Sequence, residues 1–236
     1  MNKTITFGLI AIIGQLASAA DSSSRETLAK ASQDLAGKTN YSWTASTMDA
    51  DGTPAKINPI DGKAEKGGVT YLSFIVGGVP VEVCMKGEKG SAKALEGWQT
   101  FDEIAQTSGT AAAVVRFLRS YKAPAPESAA LIEKVKDLKE EEGAFSGELQ
   151  DEATKEYVLI GTRRREGAEP PTTSDTQGSV RFWIKDGVVT KYEIKVQGKV
   201  TTAEKESTIN RTTTVNIKDV GATKMDVPAE ALEKMK

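Results

Sequence analysis

Along much of this chain, apolar and polar residues alternate one by one. The clearest case runs from Ser179 to Val200. Val188, Thr190, Tyr192, Ile194, Val196 and Val200 share one phase; Lys191, Glu193, Lys195, Gln197 and Lys199 share the other. A period of two puts successive side chains on opposite faces, so the pattern predicts a sheet with one apolar and one wet side. Asp186-Gly187 interrupts it as a type I′ turn pair, because both central positions of that turn need positive φ. Such a sheet needs a cover on its apolar face, either from the chain itself or from a ligand.

The same pattern predicts strands near Asn40–Met48, Pro54–Glu65, Val69–Val76, Val79–Met85 and Ser91–Leu95. The pairs Gly67-Gly68 and Gly77-Gly78 and the segment Gly87–Gly90 supply tight turns between the later ones. Further strands are expected near Phe145–Gln150, Thr154–Arg163, Ser179–Lys185, Val188–Val200, Ser207–Asp219 and Thr223–Val227, eleven in all. Helical spacing replaces the alternation in three places. Leu28, Ala31 and Leu35 follow a Ser23–Glu26 capping box and stop at Gly37. Val114, Phe117, Leu118 and Tyr121 mark a helix over Thr110–Tyr121. Leu131, Ile132, Val135 and Leu138 mark another over Glu127–Lys139, ending in the acidic run Glu140–Glu142. Glu166–Gln177, with Pro170-Pro171, reads as a mobile loop.

The N-terminus assigns a compartment. A basic start at Lys3, an apolar stretch Ile5–Leu16 and the small residues Ala17-Ser18-Ala19-Ala20 form a bacterial-type signal peptide cut after Ala19 or Ala20. The stretch is short of the ~20 residues of a membrane-spanning helix. The expected product is a periplasmic or secreted protein with no transmembrane anchor, one domain over residues 21–236. A formal net charge of −2 and few basic clusters argue against a nucleic-acid partner. Histidine is absent, which excludes Ser-His-Asp and Cys-His catalysis and His-ligated metals. Cys84 is the single cysteine, so no internal disulfide forms. It reads as a small half-buried strand residue, with a reactive thiol as the alternative. No cofactor motif is present.

The segments GSVRFWIKDGVVTKYEIKVQGKV and RTTTVNIKDVGATKMDVP resemble the closing strands of the periplasmic lipoprotein-carrier family and its mycobacterial relatives, the LolA/LppX-like group. In order of elements the resemblance extends over Asp21–Pro228. Asn40–Gln99, with GWQTFDEIA, is also similar to uncharacterised exported bacterial proteins. The carrier resemblance implies an α+β fold: a strongly curved antiparallel sheet, a half-open β-barrel, covering an inserted helical pair. In those carriers the concave space holds acyl chains. Carried onto this chain, that space is lined by Trp43, Leu72, Phe74, Val81, Val83, Met85, Val114, Phe117, Leu118, Leu131, Tyr192, Ile194 and Val196.

Three functions follow as expectations. The first is a non-enzymatic carrier of a lipid or other apolar ligand. The second is a ligand-free envelope interaction or structural module whose helices fill the sheet. The third is a carboxylate-based hydrolase, for which no acid pair stands out. Two further groupings are weaker. Arg163, Arg164 and Arg165 suit anionic headgroups, but a solvated strand end explains them as well. Trp43, Trp98 and Trp183 suit an aromatic pocket, but core packing does too. No protein partner is readable from the sequence.

Overall fold

The computed structural model describes residues 13–94, 97–107, 109–162, 169–203 and 205–235. Its frame is one antiparallel sheet of eleven strands. Helix α1 (Ile13–Ala36) leads into β1 (Asn40–Asp49), β2 (Ile60–Glu65), β3 (Val69–Val76), β4 (Val79–Lys86), β5 (Lys89–Ala94) and β6 (Gly97–Thr100). Three helices follow: α2 (Phe101–Ala105), α3 (Thr110–Ser120) and α4 (Pro124–Glu133). Then come β7 (Val135–Glu141), β8 (Ala144–Leu149), α5 (Asp151–Leu159), β9 (Thr172–Lys185), β10 (Val188–Thr201), β11 (Glu206–Lys218) and α6 (Ala229–Lys234). The order β6-β5-β4-β3-β2-β1-β11-β10-β9-β8-β7 leaves β6 and β7 as free edges, so the barrel is half open.

The concave face holds the main core. Leu28, Ala31 and Leu35 of α1 join Val115 and Leu118 of α3 and Leu131 and Ile132 of α4. They meet Trp43, Leu72, Val83, Phe182, Tyr192 and Ile194 from the sheet. Tyr192 pairs with Phe182 and Val215; a bulge between Val189 and Lys191 shifts the pairing by one from the Tyr192–Arg181 partnership that the two-residue turn alone would set. Asp186 and Gly187 have φ 53° and 76°, as a type I′ turn requires. One glycine is needed for packing. A Cβ on Gly62 would lie 2.1 Å from the Trp43 ring, which stands across from it on β1.

The convex face carries a second, smaller core. Residues Val83, Cys84 and Met85 are all buried, so both faces of β4 are covered here. Helix α6 sets Ala231 against Cys84 and Trp98, and Ser91 Oγ donates to the Ala231 carbonyl at 2.9 Å. Burial pushes the Cys84 thiol up to about 11, so it stays a protonated thiol.

Several expectations are corrected. The helix expected over Glu127–Lys139 ends at Glu133, and Val135 and Leu138 lie on β7. A bulge between Lys136 and Lys139, with Asp137 at φ 48°, turns two strand positions into a spacing of three. Both side chains still point inward, so a bulged strand imitates a helix. The acidic run Glu140–Glu142 therefore lies at the β7–β8 hairpin, not at a helix end. The strand expected over Thr154–Arg163 is helix α5 through Leu159. Its Ala153, Thr154 and Val158 share a buried helical face, while Asp151 and Glu152 suit the first turn. Thr172–Gln177, read as loop, extends β9, pairing Ser174 with Lys199 and Thr173 with Val200.

Thr223–Val227 is not a strand. The Asn40 side chain takes the Thr223 N–H at 2.8 Å, and no ladder partner remains. Pro54–Pro59 precedes β2 as irregular chain, where its prolines supply no donors. Strand β6 and helices α2 and α6 were not foreseen. At Ser23 no capping box forms, because helix α1 is continuous through it and the N–H groups there already have carbonyl partners. Nine of the expected strands stand, and β6 and β7 replace the other two, so the count of eleven is kept by compensation.

Candidate functional site

The sequence-named lining residues gather in one place. Leu72, Val83, Leu118 and Tyr192 are 0% exposed, and Trp43, Phe74, Met85, Leu131, Ile194 and Val196 are nearly so. Val81, Val114 and Phe117 are half-buried against the same cluster. A side chain that no water-sized sphere can touch has no room beside it for an acyl chain. Beneath α1, α3 and α4 the concave space is therefore filled by the protein's own side chains.

Further along the strands the cover thins. Three rows cross β10, β11 and β1 on the concave side: Tyr192–Val215–Ala45, Ile194–Thr213–Thr47 and Val196–Arg211–Asp49. Tyr192, Ile194, Val196 and Val215 are buried, but Ala45, Thr47, Arg211 and Thr213 are half-buried. So are Phe117 and Tyr121 at the end of α3, Glu127 on α4 and Tyr157 on α5. This group forms a half-open mouth.

Polar contacts hold the mouth together. Glu127 Oε2 accepts from the Tyr192 hydroxyl at 2.5 Å. The Tyr157 hydroxyl lies near the Glu127 carboxyl. Trp43 Nε1 donates to the Tyr121 hydroxyl at 3.0 Å, and the Phe117 and Tyr121 rings meet edge to face at 5.7 Å. Thr47 and Thr213 share a hydroxyl hydrogen bond at 2.9 Å. The Arg211 guanidinium donates to the Tyr157 and Val158 carbonyls at the end of α5; the Tyr157 carbonyl also takes the Ile160 N–H. Burial holds the Glu127 carboxyl above its ordinary range, while the hydroxyl of Tyr192 and the charge of Lys122 pull the other way. Burial also raises Tyr192, Tyr157 and Tyr121, and puts Tyr41 at about 12, so each phenol keeps its proton and can donate.

The other groupings come apart. Trp43 lies in the main core and Trp98 in the convex one. Trp183 sits outside between Arg181 and Lys191, at 5.2 and 4.4 Å from their charged atoms. Arg163, Arg164 and Arg165 lie outside the described residues, as does most of the predicted leader. Ala19 and Ala20 fall within the continuous α1. No described helix is long and apolar enough to cross a membrane, and the described residues hold no metal-binding cluster. A hollow of about 560 Å³ at β3 and β4 is lined by Asp61, Phe74, Ile75, Val81, Glu82 and Lys93, with others, and so includes two of the sequence-named lining residues, Phe74 and Val81. Its mixed charges and open form make it a weaker candidate than the mouth.

Sequence reasoning missed Glu127, Tyr157 and Arg211. Only Arg211 left a signal: it is in phase with Ile209, Val215 and Ile217, a charge on the apolar side of its strand.

No known family profile matches the chain, and no curated protein matches it by sequence. Solved structures do. The lipoprotein LppX of Mycobacterium tuberculosis is 11% identical, with 87% of this chain and 98% of that one covered, at a TM-score of 0.49. LprF of Mycobacterium bovis is 10% identical, covering 89% and 98%, at 0.45. A DUF1329 family protein of Desulfovibrio piger is 9% identical, covering 89% and 95%, at 0.31. The chain has the half-open, helix-covered sheet that the LolA/LppX-like resemblance implies.

Proposed function

We propose that this is an exported, non-enzymatic protein that binds a lipid or other amphiphile at the concave mouth of its half-barrel. The observation behind this reading is the contrast within one concave face, filled under α1 and α4 yet half exposed at Ala45, Phe117, Tyr121 and Tyr157. An acyl chain entering there meets Phe117, Val114 and Val81 first. Leu72, Phe74, Val83, Met85 and Leu118 join the lining as α3 lifts. Helix α3 suits a movable cover: its N-cap is Gly109, with no side-chain cap bond, and its pair Arg119–Asp102 is exposed. Each buried methylene contributes about 0.8 kcal/mol, set against the displaced core contacts.

The test is native mass spectrometry of the mature protein with organic extraction, followed by titration with a fluorescent fatty acid. Co-purified lipid or saturable uptake supports the reading. Replacing Ala45, half-buried at the mouth, with Trp should then block uptake while the fold persists. A second reading, a ligand-free envelope module, is favoured by the sealed side chains from Leu72 to Leu131. It takes over if neither lipid nor uptake is found.

A further inference from the structure

A carboxyl group at the mouth of an otherwise apolar space is costly unless something pairs with it. Glu127 is that group. Its surroundings come from four places: Tyr192 on β10, Tyr157 on α5, Tyr121 at the end of α3 and Lys122 in the α3–α4 connection. Lys122 is the one cation among them, and it is exposed to water that screens it. Arg211 lies on the far side of Tyr157, its guanidinium occupied by α5 carbonyls. Among the described residues the carboxyl is thus flanked by three phenols rather than by a buried counter-charge. Glu127, Tyr121 and Tyr157 are half-buried residues at the mouth, with the Glu127 carboxyl held inward on the Tyr192 hydroxyl, so an ammonium group meets it as α3 lifts.

We propose that Glu127, with Tyr121 and Tyr157 around it, receives the ammonium head group of an amphiphile whose chain enters the concave space. This rests on the mouth being a binding site and names the head group it takes. A carboxylate among aromatic rings suits an ammonium group twice over, by charge pairing and by attraction to the negative ring faces. An anionic head would meet a carboxylate instead. The pairing also couples binding to protons. Burial keeps the proton on Glu127 above the ordinary carboxyl range. An arriving cation stabilises the ionised form, so the O–H bond breaks and the proton leaves to solvent. Ammonium affinity therefore rises with pH until Glu127 is ionised in the free protein, whereas carboxylate amphiphiles gain nothing from that rise.

The experiment is isothermal titration calorimetry of the full mature protein with decyltrimethylammonium, decanoate and a neutral decyl maltoside, each below its micelle concentration. Tetramethylammonium, the head without the chain, is a fourth probe. Decyltrimethylammonium should bind about tenfold more tightly than decanoate. It should also release protons, read as a heat that depends on the buffer's ionisation enthalpy. Glu127→Gln keeps an acceptor for Tyr192 and should fold as the parent does by circular dichroism, yet lose both the preference and the proton release. Equal binding of all three decyl probes, or a preference that survives in Glu127→Gln, overturns the head-group assignment and leaves the amphiphile reading standing. Tetramethylammonium binding as tightly as the decyl probe overturns it in favour of a free cation. No binding of any decyl probe removes the amphiphile reading itself.

Discussion

Two parts of one concave face differ although the same strands run through both. Under α1 and α4, residues such as Leu28, Ile132, Phe182 and Tyr192 are sealed, and the inward groups are almost all apolar. A few residues along, the inward positions of β1 and β11 become Thr47 and Thr213, then Asp49 and Arg211, and exposure returns. The difference is one of side-chain chemistry: a β-sheet accepts either row, but only the apolar one draws helices onto it. Stability is concentrated at the sealed end, and the mouth is less tightly covered.

The largest effect should come from placing a charge in the sealed part. Ile194→Lys should cost about 3–5 kcal/mol, seen as a large drop in denaturation midpoint, because no buried partner awaits it. An unchanged midpoint would break the comparison. Gly62→Ala should cost about 1–3 kcal/mol, since its Cβ would overlap the Trp43 ring.

At the mouth the effects should be smaller and local. Arg211→Met should cost about 1–2 kcal/mol by freeing the α5 carbonyls. Hydrogen exchange should quicken over 151–162 and stay unchanged in β10. Equal quickening in both would mean that the two regions form one cooperative unit.

The smallest effect sharpens the picture with pH. Glu127 holds its proton more tightly folded than unfolded. Its contribution is therefore complete below the unfolded value near ~4.3 and is lost as pH rises toward the folded value. Relative to Glu127→Gln, the parent should lose midpoint between acid and neutral pH. A constant difference between the two proteins would show that Glu127 is not held protonated.

The sequence reading divides along the same line as the molecule. Where alternation was uninterrupted, as over Tyr192, Ile194 and Val196, strand, turn and burial followed from the residue pattern, while the bulge after Val189 that sets the register against β9 did not. It went astray where local geometry altered the period. Asp137 in the left-handed region shifted Val135 and Leu138 to helical spacing. The β-prone run from Tyr157 to Ile160 was drawn into a helix by packing against β9 and β10. The sealed half of the site was legible because burial follows hydrophobicity. Of the mouth, Phe117 and Tyr192 were named but Glu127 and Tyr157 were not, because they meet Tyr192 only through tertiary contacts between distant segments.

The most direct test compares two alanines of the same concave face. Ala45 is half-buried at the mouth, and Ala64 lies in the sealed part. Each is replaced with cysteine and reacted with a maleimide; the parent, whose Cys84 is buried, supplies the baseline. Ala45→Cys should react readily and be protected by a decyl amphiphile, whereas Ala64→Cys should stay as unreactive as the parent. Equal reactivity at both positions, or labelling of Ala45→Cys that the amphiphile leaves unchanged, would contradict a half-barrel sealed at one end and open to ligand at the other.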